Sequence, residues 1–509
     1  MKTAALFAAI AGGWVVAAAN CDDLAKVTLP NTTISKAESE PAGPFTLPNG
    51  SAIKGLPAFC RVAGSIKPSS DSDIQFEVWM PANGWNGKFQ GVGNGGFAGE
   101  IGYAGLAEAV KLGYAAASTD TGHHASGTDA SWALGHPEKI VDFGYRAIHE
   151  TTEKGKAIAR AFYGEDAKRS YFSSCSNGGR QALMEAQRFP ADYDGIVAGA
   201  PANYWTHLLT AAAFDMNATL ADPASYIPAK KLPAIEAATL AACDALDGVK
   251  DGVIEDPRQC HFDPAAMLCS GEETNSCLTA PQVTALKKVY QGPRNSKGEQ
   301  VFPGYSPGGA TGMGGWATWI TGTTPRGSLM FKFGNGFFAN MLFDDPAWDF
   351  KTFALDHDVK LADDKMAQRL NSTSADLAAY KKRGGKLILY HGWSDAAIPP
   401  LNAINYYESV VSKMGSQDTT SFVRLFMAPG MQHCGGGPGP NVLQMNTVLE
   451  KWVEDGVAPE QVIATKYKGD NPAGGVERTR PLCAYPKVAQ WKGSGNTDDA
   501  ANFVCAAAR

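Results

Sequence analysis

At 509 residues, with 44% hydrophobic and 19% charged side chains, the chain can bury a large core or several domains, and its composition excludes an intrinsically disordered polymer. The formal net charge is −6, and the longest basic run, Lys381-Lys382-Arg383, reads as a solvated helix end. Neither nucleic acid nor a membrane surface is therefore implied as a partner, because both need clustered cations. The N-terminus is basic at Lys2, apolar from Ala4 to Val16 and small at Ala17-Ala18-Ala19. That pattern is a secretory signal over residues 1–19, too short for a membrane span, and it predicts a secreted, extracellular mature chain. Ten cysteines, an even number, read as a disulfide set in an exported protein, and sequons at Asn31, Asn49, Asn217 and Asn371 fit glycosylation.

Short β-type runs follow in chain order at residues 74–80, 88–92, 114–118, 170–175, 195–200, 386–390 and 421–427. Between them, helical spacing of apolar residues covers 140–162, a second helix begins at 181–187, and two more are predicted over 402–413 and 442–455. Strands alternating with helices predict an α/β fold with a parallel sheet covered on both faces. Working residues of such a sheet lie in the loops past the strand C-termini, where Gly95, Asp120, Ser176, Asp395 and His433 fall. The alternation breaks between 203 and 379, a stretch rich in Gly, Pro and Trp with four cysteines. It reads as an inserted lid domain, leaving residues 20–202 and 380–509 as the main α/β domain.

Three segments carry chemistry. Ser173-Ser174-Cys175-Ser176-Asn177-Gly178-Gly179 leaves a strand and opens a helix, the setting of a nucleophile elbow, although Ser174 stands where the usual pattern has Gly. Its turn would lift the Ser176 hydroxyl and aim the Asn177 N–H at an oxyanion; Gly95 or Gly96, after an early strand, would supply the second donor. Asp395 follows the buried run Leu387 to Tyr390, where an orienting acid belongs; the alternative, for the residue read alone, is a helix N-cap. His433 lies in a Gly-rich loop after a late strand, and Ser…Asp…His is the order expected of an α/β-hydrolase fold. His391 precedes the acid and reads as a structural residue of its loop; His123-His124 also reads as structural. Cys175 abuts Ser176 and Cys434 abuts His433. Were those two cysteines bridged, their Cα atoms would lie roughly 4.4–6.8 Å apart and the two side chains would be held together. Of Trp316, Trp319, Phe331, Phe333, Phe337 and Phe338, most are expected in the lid core, with some lining a pocket for an aromatic group.

These residues resemble the tannase and feruloyl esterase family over nearly the whole mature chain, through Cys175-Ser176, Asp395, His433-Cys434, Gly93 to Gly96 and Asp142-Phe143-Gly144-Tyr145-Arg146-Ala147. The resemblance implies an α/β-hydrolase fold with a lid carrying the pocket, and hydrolysis of phenolic acid esters of plant polysaccharide. Feruloyl esters are the leading substrates and galloyl esters the alternative. A catalytically dead binding protein and a serine peptidase remain further alternatives. The resemblance also implies a structural Ca²⁺ site formed by Asp244, Asp247, Asp251 and the carbonyls of Val249 and Val253, with no organic cofactor. Hard oxygen donors on a short Gly-punctuated loop suit that ion, although the spacing is not that of an EF-hand. Its implied disulfides are Cys21–Cys60, Cys175–Cys434, Cys243–Cys260, Cys269–Cys277 and Cys483–Cys505.

Overall fold

A computed structural model describes residues 19–508, so the body of the expected signal segment lies outside the described residues. The architecture is built on one nine-stranded sheet. Its strands are β1 (Thr32–Glu40), β2 (Phe59–Ile66), β3 (Ile74–Pro81), β4 (Lys88–Val92), β5 (Ala115–Thr119), β6 (Arg169–Cys175), β7 (Gly195–Gly199), β8 (Lys386–Gly392) and β9 (Val423–Ala428). They lie in the order β1-β2-β3-β5-β4-β6-β7-β8-β9. The first four in that order pair antiparallel, and from β5 to β9 every pairing is parallel. The expected parallel sheet is thus mixed. β1, a polar, half-exposed edge strand without clean alternation, and β2 are not among the strands expected from the sequence.

The sheet separates two apolar layers. Along β8, Leu387 and Leu389 pack on one face and Ile388 on the other. The first layer is closed by α1 (Ala147–Tyr163), α2 (Asn177–Arg188) and α4 (Leu401–Met414); the helix Tyr103–Lys111 and α5 (Met445–Asp455) close the other. The central strands β5 and β7 are buried throughout, which is why their sequences, AAAST and GIVAG, are small or aliphatic and carry no charge. Ahead of α1, residues Asp142–Arg146 form a π-helical turn, continuous with the helix.

Between β7 and β8 the chain leaves the sheet for a mainly helical excursion. It begins with α3 (Trp205–Leu220); its Trp205, Phe337 and Phe338 share a core with Phe97, Trp132 and Phe143 of the sheet domain, and Ile235, Leu286 and Trp316 form a second core. The C-terminal stretch adds two small antiparallel pairs, Gln461–Tyr467 with Val476–Cys483 and Lys487–Trp491 with Phe503–Ala507. Val249 of the excursion packs with Cys483, Ala489 and Phe503 of this stretch. The topology, with helices on both faces of a largely parallel sheet, is that of an α/β-hydrolase.

Five disulfides link Cys21–Cys60, Cys175–Cys434, Cys243–Cys260, Cys269–Cys277 and Cys483–Cys505. No helix among the described residues is long and apolar enough to cross a membrane. Two of the four sequons turn inward: Asn217 Nδ2 donates to the Phe350 carbonyl and Asn371 Nδ2 to Thr206 Oγ1. Asn31 and Asn49 are exposed.

Candidate active site

Ser176 occupies the turn between β6 and α2 with φ 67° and ψ −126°, a conformation costing a non-glycine residue about 1–3 kcal/mol. The surroundings enforce it. The Ser176 N–H donates to the Gly199 carbonyl, and its own carbonyl accepts from Ala202 N–H. A Cβ at Gly178 would collide with Ser174 Oγ, and one at Gly179 with the Gly199 carbonyl. The small residues after the serine are therefore steric requirements of the turn.

Two loops from distant parts of the sequence meet this serine. Asp395 sits past the end of β8, His433 past the end of β9, and the Cys175–Cys434 bridge ties the serine turn to the histidine loop with a Cα–Cα distance of 5.9 Å. His433 Nε2 lies 2.9 Å from Ser176 Oγ, and His433 Nδ1 lies 2.8 Å from Asp395 Oδ2. Asp395 Oδ1 accepts from the N–H groups of Ala397 and Ile398, at 2.7 and 2.9 Å. Burial alone would push this carboxyl up, but the adjacent, hydrogen-bonded His433 and the nearby His391 hold it well below the usual carboxylate range. Asp395 is therefore ionised at any working pH. Trp319 packs its ring against His433 with centroids 5.0 Å apart. Gln432 fixes the histidine loop to the helical excursion, its Nε2 donating to Thr311 O and its Oε1 accepting from Gly314 N–H.

Among the described residues, the backbone N–H groups of Gly95, Gly96 and Asn177 donate to no protein acceptor. Gly96 and Asn177 line one pocket with Ser176, and Gly95 is not among its walls. The loop carrying the two glycines is pinned from below. Asn94 donates to the carbonyls of Glu100 and Thr119, and Phe97 N–H donates to Gly127 O. His123 Nε2 lies 2.8 Å from the Phe97 carbonyl, and its ring stacks on Trp132 at 3.7 Å. Burial pushes His123 down to about 4, so it is a neutral brace for the loop. Asp120, also placed at the strand tips by the sequence reading, instead caps the backbone N–H groups of Gln75 and Gly122.

Arg180 escaped the sequence reading. It is fully buried, and it donates from Nε to Asn177 Oδ1 at 2.8 Å and to the carbonyls of Phe143, Gly144 and Leu370. Burial lowers it to about 9, still cationic at neutral pH. Phe143 and Gly144 lie in the π-helical turn, a local distortion that accompanies these carbonyl contacts. Within the segment 142–147, the carbonyls of Phe143 and Gly144 serve Arg180, whereas Asp142 and Arg146 pair with each other.

The pocket over Ser176 is a narrow, half-open cleft with a cavity volume of about 60 Å³. Its remaining walls are Ala202, Trp205, Leu208, Leu209, Trp319, Met330, Phe333, Ala397 and Ile398, with no charged side chain. Of the aromatic residues singled out from the sequence, Trp319 and Phe333 line it, Trp316, Phe337 and Phe338 are buried in the cores, and Phe331 packs against Phe350.

The acidic loop lies elsewhere, against the C-terminal strands. Asp244 accepts from the N–H groups of Asp251 and Gly252, Asp247 from Val249, and Asp251 Oδ1 from Val253. Asp251 Oδ2 is also paired with Arg478 and Arg480, at 3.0 and 2.6 Å. In this conformation the three carboxylates do not all converge within 4.8 Å, whereas those of Glu185 and Asp192 do so with His149. Among the described residues the carbonyls of Val249 and Val253 accept no hydrogen bond, although both residues are buried. Unused carbonyls beside three carboxylates form a donor set of hard oxygens that fits Ca²⁺ chemically.

A family model described as tannase and feruloyl esterase matches residues 60–506. The chain is 46% identical over 526 residues to an uncharacterized esterase of Xanthomonas campestris pv. campestris, covering 96% of this chain and 91% of that protein. It is 36% identical over 544 residues to the mono(2-hydroxyethyl) terephthalate hydrolase of Piscinibacter sakaiensis, covering 94% and 89%. The crystal structure of feruloyl esterase B from Aspergillus oryzae superposes with a TM-score of 0.88 at 29% identity, covering 96% of this chain and 100% of that one. In class the protein is an α/β-hydrolase acting as a carboxylic ester hydrolase. Within that class the chain belongs to the tannase and feruloyl esterase family.

Proposed function

We propose that the chain is an exported serine esterase hydrolysing feruloyl and related hydroxycinnamoyl esters of plant cell-wall polysaccharide, with Ser176, His433 and Asp395 as its triad. The observation that carries this reading is the hydrogen-bonded series from Ser176 Oγ through both nitrogens of His433 to Asp395, opening on an apolar aromatic-walled pocket. The Ser176 O–H donates to His433 Nε2, which takes the proton as Oγ attacks the ester carbonyl. His433 then protonates the leaving alcohol, and water attacks the acyl-enzyme by the same route in reverse. Asp395 holds the proton on Nδ1 and offsets the imidazolium charge. Asn177 N–H, with Gly96 or Gly95 N–H, receives the oxyanion; one such donor contributes about 3–4 kcal/mol to the transition state. Five disulfides and the apolar N-terminal segment favour export.

The uncharged walls favour ferulate or coumarate over two rivals. A terephthalate monoester brings a free carboxylate, and a galloyl ester brings three adjacent hydroxyls. Each buried hydroxyl left without a partner costs about 1–3 kcal/mol. With methyl ferulate, coumarate, caffeate, sinapate and gallate and mono(2-hydroxyethyl) terephthalate, we expect kcat/KM on ferulate or coumarate to exceed that on gallate and the terephthalate by at least about tenfold. Activity confined to gallate would replace this reading with a tannase.

The acidic loop is proposed to hold Ca²⁺ through Asp244, Asp247, Asp251 and the carbonyls of Val249 and Val253. When bound, the ion neutralises the clustered carboxylates and fastens the excursion to the C-terminal strands. Saturating Ca²⁺ at roughly 100–1,000 times its Kd would add about 3–4 kcal/mol of stability. A chelator should therefore lower the thermal midpoint by several degrees, and Ca²⁺ should restore it. An unmoved midpoint, together with no calcium in elemental analysis of the purified protein, would remove the site.

A further inference from the structure

We infer that His391, the next-to-last residue of β8, is a positioning residue of the triad that sets the working basicity of His433 through Asp395. The inference rests on the triad reading above. His391 is completely buried, and its Nε2 lies 3.0 Å from the Ile398 carbonyl and 3.1 Å from Asp395 Oδ2. Both neighbours are acceptors, so Nε2 carries the proton. Its hydrogen bond runs to Ile398 O, with the N–H dipole lying against the same carboxylate oxygen that serves His433. His391 Nδ1 is buried without a partner among the described residues. A donor at that position would be a buried N–H without an acceptor.

That orphaned nitrogen is the reason to assign a role. A ring serving only as filler would carry the cost of an unsatisfied buried acceptor for nothing, since an apolar side chain of similar size could take its place. What the imidazole supplies is a donor edge at Nε2. Asp395 is thereby surrounded: two backbone N–H groups hold Oδ1, and two imidazoles face Oδ2. The carboxylate cannot turn away from His433. Its charge is also shared with a second N–H, which weakens its pull on the imidazolium form of His433 and keeps His433 able to accept a proton at lower pH.

The other ionisable groups packed around this carboxylate are few. Tyr305 donates to the Ala397 carbonyl at 3.3 Å, and Asp215 lies near Tyr305; burial pushes both groups up. Glu236 accepts from the backbone of Gly309 and Ala310 in the loop packed on Ser394, and Arg258 lies over Trp393. None of them touches Asp395, so His391 and His433 are the groups through which its environment can be changed.

The test compares His391→Met, which keeps bulk and loses the donor, with His391→Gln, whose amide nitrogen can reach the place of Nε2. Ester hydrolysis across pH gives the acid limb of kcat/KM, and a fluorophosphonate probe reports on Ser176. For His391→Met the acid limb should move up by about one pH unit and kcat fall about tenfold, with KM changed less than about twofold. His391→Gln should return both toward the parent. Should His391→Met not fold, His391→Asn, whose amide reaches only as far as Nδ1, takes its place and should show the same upward shift. An unmoved acid limb, or a Gln variant no better than Met or Asn, overturns the role of His391 while leaving the triad in place. A parent protein that the probe does not label at Ser176 overturns the triad reading, and this inference with it.

Discussion

Replacing Ser176 with alanine is expected to reduce kcat/KM by roughly 10⁴- to 10⁶-fold and to abolish fluorophosphonate labelling. The size follows from the chemistry. The hydroxyl at 2.9 Å from His433 Nε2 is the sole nucleophile offered to the pocket among its described walls, and without it only the oxyanion donors and substrate binding remain. KM should change little, because Ser176→Ala leaves the walls formed by Trp205, Trp319 and Phe333 intact. The same experiment separates an enzyme from a hydrolase fold kept for binding alone. Labelling that persists in Ser176→Ala would mean that another nucleophile reacts, and the assignment of the triad would have to be abandoned.

The second large effect belongs to the bridge beside the triad. Converting Cys175 and Cys434 together to serine opens a closed loop with a sequence separation of 259, against 8 for Cys269–Cys277. In the chain-entropy model the first bridge is worth on the order of 5 kcal/mol and the second about 2–3 kcal/mol. The double variant should lose several degrees of thermal midpoint and at least about tenfold in kcat, since releasing His433 loosens its alignment with Ser176. Removal of Cys269–Cys277 should cost less stability and leave kcat nearly unchanged, because that bridge is local to the excursion. Equal kcat for the two double variants would mean that the strand ends, rather than the bridge, align the histidine.

The strands nearest the site were legible from sequence, because each combines an apolar run with a terminating Gly or Pro turn. Residues 88–92 match the structure, and 170–175 and 386–390 fall within the observed strands. β1 and the C-terminal strands were not legible: TTISKAESE is a polar edge strand, Val476–Cys483 is charged and exposed over its first half, and Phe503–Ala507 is only five residues long. The order Ser…Asp…His marked the candidate triad, and the neighbouring cysteines pointed to its closure. Arg180 and Gln432 carried no comparable signal. Their partners are carbonyls of Phe143, Gly144, Leu370 and Thr311, and a backbone carbonyl leaves no trace in residue identity. His391 was visible as a histidine near the acid, but its distance from Asp395 depends on how the turn folds back.

Local and covalent features were written into the order of residues. They include the hydrophobic runs that become buried strands, the glycines without which the Ser176 turn could not close, and the number of cysteines available for pairing. Folding in three dimensions settled what depends on distance across the chain: which side chains reach Asp395, which aromatic residues face the pocket, and which sequons point outward. The physical reason is that hydrophobic patterning has a period that can be read along a strand or helix, whereas a hydrogen bond between remote loops depends on ångström-scale placement that no local period encodes.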